Sequence, residues 1–450
     1  MNRGTNINNN NAKPKLGFFG LLSISLGQII GAGVVIMTGI GIDLTGYGTP
    51  WAFVLALAIV ALPSICIAAL GSAIPATGGT YTYVRDLLGH KTSFVYLALL
   101  VAGQLVLANY AIGFAEYAVA LVSDINITMV AALMMVFSFV INLFGIQVAA
   151  RFQSVMVVSL IISLVLFVVY GMVKVDHFEF YTQPEKILPN GIPGFIAAAY
   201  ILRFSMIGSE FVSELGGDVK NPGRLIPLVM LTSLIMVTLL YIAISIVATG
   251  ALNLEEVKGE TLALVAESIF PPAVYIFFIA GGVMLALLTS LNSIFAWCTK
   301  GIYTATKDGW LPEKLAVVNR FGTPWIFLSL FFLVGIFPII SGMTMKYIAI
   351  LGNAVGIIFG IIPVVALYNL KQRKPEAYAA AKFKLSPFNN KAFPVIAVIV
   401  YSYGIYMSLD FIGQTGVFSL MVYTALAIGY ALWRESYVLE ISKSKKQSSR

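Results

Sequence analysis

The sequence predicts an all-α polytopic membrane protein with twelve transmembrane helices, ten of them in two inverted five-helix repeats and two appended. Three observations predict it. Hydrophobic residues make up 59% of the 450 and charged residues 11%, with a mean hydropathy of +0.91, a balance soluble domains do not have. Twelve apolar stretches are long enough to span a bilayer, which takes about 20 residues. Lysine and arginine also alternate between the two sides of those stretches. Of 28, 23 fall in alternate loops and both tails, four (Lys174, Lys186, Lys258, Lys346) in the opposite loops, and one (Arg203) inside a span. A net charge of +8 can signal nucleic acid, but this distribution is the positive-inside pattern, so no nucleic-acid partner is expected. It places both termini in the cytoplasm and the chain in the plasma membrane.

Taken in order, the candidate spans are 16–42, 51–74, 94–115, 128–148 and 152–173, then 193–216, 225–252, 271–299, 321–345 and 347–370, then 392–409 and 411–433. The corresponding organisation is a cytoplasmic tail (1–15), a first repeat (16–173), a second, inverted repeat (174–370), helices eleven and twelve (371–433) and a second tail (434–450). The runs are continuous and lack period-two alternation, which excludes a β-barrel. The Asn-rich start is read as a polar tail, not a signal peptide, because the first apolar stretch is too long. Residues 442–450 are expected to be disordered.

Eleven spans contain no Asp, Glu, Lys or Arg; the sixth breaks that rule with Arg203, Glu210 and Glu214. Each such charge costs about 2.5–3.5 kcal/mol at the bilayer centre, so it faces protein or water and has a task. Small polar residues around Gly208 invite this helix to unwind. The first span carries Gly27-Gln28-Ile29-Ile30-Gly31-Ala32-Gly33, and each Gly costs about 1 kcal/mol relative to Ala in a helix interior. The plain alternative is close helix packing, since Gly27 and Gly31 form a small-xxx-small pair. Interrupted spans at corresponding places in two halves point to a transporter site. Gly33 and Gly208 are 175 residues apart, a fitting length for one five-helix repeat, and an odd helix number inverts the second copy.

Between spans two and three, residues 75–85 suit a short cytoplasmic loop or re-entrant turn. The loop 254–270 places Leu262, Val265, Ala266 and Ile269 as the apolar face of a cap over the outer vestibule. The six Lys and Arg of 371–391 form an ordinary positive anchor. Cys66 and Cys298 both lie in apolar spans, so no disulfide framework is implied. His90 and His177 are the only histidines, both assigned to loops without metal-ligand spacing. With no nucleophile, acid–base pair or metal cluster, an enzyme is not expected, nor is a resident cofactor. A channel lacks support because no filter-like loop repeat is present.

Gln28-Ile29-Ile30-Gly31-Ala32-Gly33-Val34 resembles the first-helix break of the amino acid–polyamine–organocation transporters. Phe204-Ser205-Met206-Ile207-Gly208-Ser209-Glu210, followed by Asp218-Val219-Lys220-Asn221-Pro222-Gly223-Arg224, is similar to their sixth helix and the loop after it. Pro75-Ala76-Thr77-Gly78-Gly79-Thr80-Tyr81 and Lys307-Asp308-Gly309-Trp310-Leu311-Pro312 resemble two further signatures, in the family's order across nearly the whole chain. The resemblance implies the LeuT fold and alternating-access transport of amino acids or related amines, as permease, exchanger, symporter or antiporter, by a monomer or homodimer in membrane lipid. It puts the substrate carboxylate on the N–H groups of Gly31, Ala32 and Gly33, where a half-helix N-terminus suits an anion. The ammonium would meet carbonyls of Ile29, Phe204 and Ile207, with Ser205 and Gly208 completing the second break. Phe204 would be the aromatic gate, its plain alternative being core packing, and Tyr241 a second contact.

Glu210 stands where some relatives carry a proton-sensing Glu; coupling or gating is set against a structural pair with Arg203, seven residues away on one face if the helix is intact. Glu214 is read as solvated near the cytoplasmic end. Many sodium-independent members have a Lys in span five that fills a sodium ion's place. The matching position here is Leu160, beside Ser159, while Thr289 and Ser290 offer hydroxyls for a sodium ion. The coupling ion is therefore H+ or Na+. Arg203 either replaces the missing cation or recognises an acidic substrate. With Val34, Met206 and spans three, eight and ten lining the pocket, and Ile294 where an arginine exchanger has a stacking Trp, small or apolar neutral amino acids are the expected substrates.

Overall fold

The computed structural model describes residues 15–122 and 125–448; the Asn-rich start lies outside them. The first apolar stretch forms α1 (Phe18–Ile29) and α2 (Ala32–Thr45), followed by α3 (Thr49–Ala73). Instead of a loop, Gly79 opens a ten-residue helix, α4 (Gly79–Leu88). The third span is α5 (His90–Gly103) and α6 (Val106–Leu121), so His90 opens a helix and does not sit in a loop. Spans four and five are α7 (Ile127–Leu143) and α8 (Ile146–Met172). After the short α9 (Pro184–Ile187) comes α10 (Gly191–Leu202), which dissolves into two 3₁₀ turns, Arg203–Met206 and Ser209–Glu214.

The second half continues with α11 (Pro222–Gly250), α12 (Leu254–Val257) and α13 (Leu262–Ile269). In α13 the buried residues are Leu262, Val265, Ala266 and Ile269, the face expected of an amphipathic cap. The eighth span is α14 (Pro272–Phe277), a π-turn over Phe278–Met284, and α15 (Leu285–Trp297), with α16 (Thr299–Lys307) beyond. Then follow α17 (Trp325–Ile340), α18 (Met345–Ala366), α19 (Leu370–Arg373) and α20 (Pro375–Ala380). The last element, α21 (Asn389–Ser448), carries both expected spans 392–409 and 411–433 without a separating break. The helix runs on through the join at Asp410 and past Gly413 and Gly416. It also takes in the tail: the residues to Ser448 are helical where disorder was expected.

Helix pairings recur across the two halves. α3 packs on α11, and α2 on α10. α5 and α6 pack on α18 and α17, while α15 packs on α8 and α7. Exchange of equivalent partners is what an inverted pair of five-helix units produces.

The connections sort to two faces. On one, Leu16 pairs with Val219 and Thr77 with Leu215, and Lys300, Lys374 and Lys91 reach Asp218, Asp86 and Glu435. On the other, Thr45 donates to the Ile187 carbonyl, the Gly259 N–H to Gly39, and Tyr181 to Ile246.

Candidate functional site

The first span loses its winding at two residues. Ile30 has φ −80°, ψ 80° and Gly31 an extended φ −104°, ψ −162°. The Gly31 N–H turns back to the Ile29 carbonyl at 2.9 Å. The donors expected at Gly31, Ala32 and Gly33 therefore begin at Ala32, the first residue of α2, and the Ile29 carbonyl already accepts one hydrogen bond. The first N–H groups of a helix have no intrahelical partner, and no side chain caps α2.

The sixth span breaks at Ile207, which is extended, and at Gly208, whose φ is +142°. Only glycine takes that backbone without strain. The Gly208 N–H donates to the Glu210 carboxylate at 3.1 Å. The two breaks touch. A Cβ on Gly208 would lie 2.7 Å from Cγ of Gln28, and one on Gly33 would lie 2.9 Å from Cα of Ser205. Each break is thus packed against the other's backbone.

Beside this contact lies a cavity of about 140 Å³. Phe204, Ile207, Glu210 and Arg203 line it, as do Gln28, Ile294 and Trp297. Span two (Val60, Pro63, Ser64, Ile67), span three (Tyr96, Gln104, Tyr110) and span ten (Gly356, Ile357, Gly360) add to the lining, with Thr80 of α4 and Tyr401 of α21. Val34 and Met206, expected in the lining, are fully buried in the core instead. Ser205 and Tyr241 are also set back: the Tyr241 hydroxyl donates to the Ser205 carbonyl at 3.2 Å, and the Ser205 hydroxyl to Leu202 at 2.7 Å. In this arrangement Tyr241 braces the break, its ring 5.4 Å from that of Phe53.

The expected Arg203–Glu210 pair is not formed. The helix between them is not intact, so seven residues no longer bring them to one face, and no carboxylate lies within 4.0 Å of Arg203 among the described residues. Arg203 is 4% exposed, its Nε has no hydrogen-bond partner, and its guanidinium sits 5.9 Å from the Tyr401 ring. Glu214 is likewise not solvated. It is 1% exposed and accepts from the Thr80 N–H at 3.2 Å and from the Thr80 hydroxyl. The 3₁₀ turn after Gly208 winds tighter than an α-helix and carries this carboxylate inward.

Thr289 and Ser290, the residues read as possible sodium ligands, are fully buried on α15. Their hydroxyls donate to Ala286 at 2.9 Å and to Gly27 at 3.0 Å, and the Thr289 carbonyl accepts from Gln153 Nε2 at 3.1 Å. A Cβ on Gly27 would fall 1.7 Å from that amide nitrogen. Gln153 also donates to Ser293 at 2.9 Å and accepts from Asn292 at 2.8 Å. Leu160, the position matched to the missing Lys, is buried in the core instead.

Several lining residues escaped the sequence reading. Gln28 accepts from Trp297 Nε1 at 3.0 Å, and Trp297 stacks on Phe211 with centroids 4.1 Å apart. The visible signal was a lone amide and a lone Trp in otherwise apolar runs. The π-turn at Gly281-Gly282 had a signal in that glycine pair.

Two half-unwound helices packed together beside a cavity deep in a polytopic bundle define a secondary transporter of the LeuT architecture. The transporter MhsT, solved in complex with L-phenylalanine, has the same fold: TM-score 0.66 and 16% identity, covering 88% of this chain and 99% of that one. The amino acid permease family model matches residues 16–433, and the chain belongs to that family. It is 25% identical over 403 residues to a branched-chain amino acid permease of Bacillus subtilis, covering 82% of this chain and 83% of the relative. It is 25% identical over 407 residues to the serine/threonine exchanger of the same organism (86% and 90%). A large neutral amino acids transporter small subunit of Rattus norvegicus is 24% identical over 422 residues (88% and 76%).

Proposed function

We propose that this amino acid transporter carries small or apolar neutral amino acids by alternating access, from the plasma membrane, with both termini and the Lys- and Arg-rich loop face in the cytoplasm. The observation that carries the reading is the contact of the two breaks beside the cavity. Substrate N–H and carbonyl partners then come from backbone, and the side chain is left to a wall of Val60, Ile67, Phe204, Ile207, Ile294 and Ile357. A wall of that kind favours an apolar side chain. The amino acids named for the branched-chain permease, the serine/threonine exchanger and the large neutral amino acids transporter are neutral as well, although a cationic amino acid transporter is also among the relatives. Coupling to protons is favoured by Glu210, a carboxylate that faces the cavity.

A second reading rests on Arg203. A guanidinium stays charged, and burying it without an acid is costly, so an acidic amino acid could supply the missing carboxylate. Counterflow in liposomes preloaded with unlabelled substrate separates the readings. Accumulation of labelled L-leucine or L-serine, unaffected by removing sodium, is the expected result. Selective accumulation of L-glutamate supports the second reading. No counterflow of any amino acid, with unsaturable ion current, overturns both.

A further inference from the structure

The first 3₁₀ turn after Gly208 ends at a carboxylate for which neither the fold nor the substrate site has given a use. We propose that Glu214 is a proton-binding site that latches the inner end of the cavity. It holds one proton while the segment 75–82 is docked against it and releases that proton to cytoplasmic water when the segment leaves. Its part in transport rests on the carrier reading above; its proton binding does not.

Three features place the ligand. Glu214 is buried and meets no cation: from α4 it faces Tyr83, from α5 Tyr96, and from α16 the side-chain-free Gly301. The nearest ammonium on α16, Lys300, is already paired with Asp218 at 2.6 Å. On its own segment the other acids are Glu210 in the cavity and that same Asp218. A lone carboxylate in an apolar bundle is costly when ionised and far less so when protonated.

The second feature is the docking itself. Thr80 offers Glu214 both its N–H and its hydroxyl, and the Gly78 N–H donates to the Glu214 carbonyl at 3.0 Å. The fit is tight enough to need glycine. A Cβ on Gly79 would come within 2.2 Å of the Ser213 carbonyl oxygen, and one on Gly216 within 2.5 Å of that of Ala76. The Thr77-Gly78-Gly79-Thr80 stretch and the Glu214–Gly217 stretch therefore close on one another like two halves of a clasp.

The third feature is a route. Thr80 and Tyr96 both line the cavity, and their hydroxyls are hydrogen-bonded to each other. Tyr96, Thr80 and Glu214 thus form a continuous chain from the cavity to the carboxylate. A proton passed along it becomes the O–H of Glu214, each hydroxyl giving up one proton as it accepts another. With Glu214 ionised, hydration of the carboxylate requires the clasp to open toward the cytoplasm.

Amide exchange of segment 75–88 in the purified protein, converted to protection factors so that the intrinsic pH effect is removed, tests this without any transport. In the wild type, protection falls by about tenfold per pH unit above the open form's ordinary carboxylate value of about 4.3, the slope of a single proton, and levels off where the docked carboxyl itself ionises. In Glu214→Gln, which keeps a neutral acceptor for Thr80, protection is high and flat. Leucine or serine counterflow in the same variant loses its dependence on internal pH. Flat protection in the wild type, or an unchanged pH profile in Glu214→Gln, overturns the proposal. If Glu214→Gln does not fold, the wild-type series alone still decides. Absence of amino acid counterflow alongside a pH-dependent clasp would sink the carrier reading and leave the proton site standing.

Discussion

Gly208 and Gly33 are the residues on which the site's geometry turns, because each lets one break lie against the other. At φ +142° a side chain is strained whatever the space, and here the space holds Gln28 as well. Gly208→Ala is expected to cost about 1–3 kcal/mol, read as a lower Tm in detergent, and to abolish counterflow. A variant with wild-type Tm and wild-type counterflow would show that the two breaks need not touch. Glu210 and Glu214 teach a different lesson at this scale. Four residues apart, they were assigned depths as if on one regular helix. The break and the tighter turn after it put Glu210 on the cavity and Glu214 in a buried clasp.

At the scale of elements, α1 is held by a polar network that spacing alone did not reveal. Asn142 donates to Asn292, Asn292 to Gln153, Gln153 to Ser293, and Ser293 to the Ile24 carbonyl of α1. A donor or acceptor left unmade in such a buried network costs about 1–3 kcal/mol. Gln153→Ala should lower stability by that amount, and amide exchange across Phe18–Ile29 should speed up while that of α11 does not. Equal exchange in both helices would mean that the network does not fasten α1. On the alternating-access reading proposed above, one helix bundle rocks against the other, so a variant that loosens α1 should also shift the balance between inward- and outward-facing states.

For the whole molecule, charge placement and packing agree on one clasped face. Asp86 is shared between Arg85 at 2.9 Å and Lys374 at 2.9 Å, and Arg85 also reaches Asp308 at 2.7 Å. These pairs tie α4 to α16 and to the loop before α20. Burial alone would raise the Asp86 carboxyl, but Arg85 and Lys374 hold it below its ordinary 3.8. A depressed carboxyl adds stability above its unfolded value and loses it as pH falls through the folded one. Asp86→Asn should therefore lower Tm at pH 7, and the gap to wild type should close as pH drops below 3.8. A gap that persists in acid would assign the effect to packing.

The sequence by itself determined the bundle. Continuous apolar runs of spanning length can only be helices in lipid, because every backbone N–H and C=O must be satisfied within the segment. It also located both breaks, since glycine clusters and intramembrane charges are local signals. What lies far apart along the chain was decided only by the tertiary structure. Gln153 beside Gly27, Thr80 beneath Glu214, and Arg203 without Glu210 are pairings of distant helices, set by how side chains interlock where those helices cross. No local pattern encodes that register, so the backbone's weak points were legible while their partners were not.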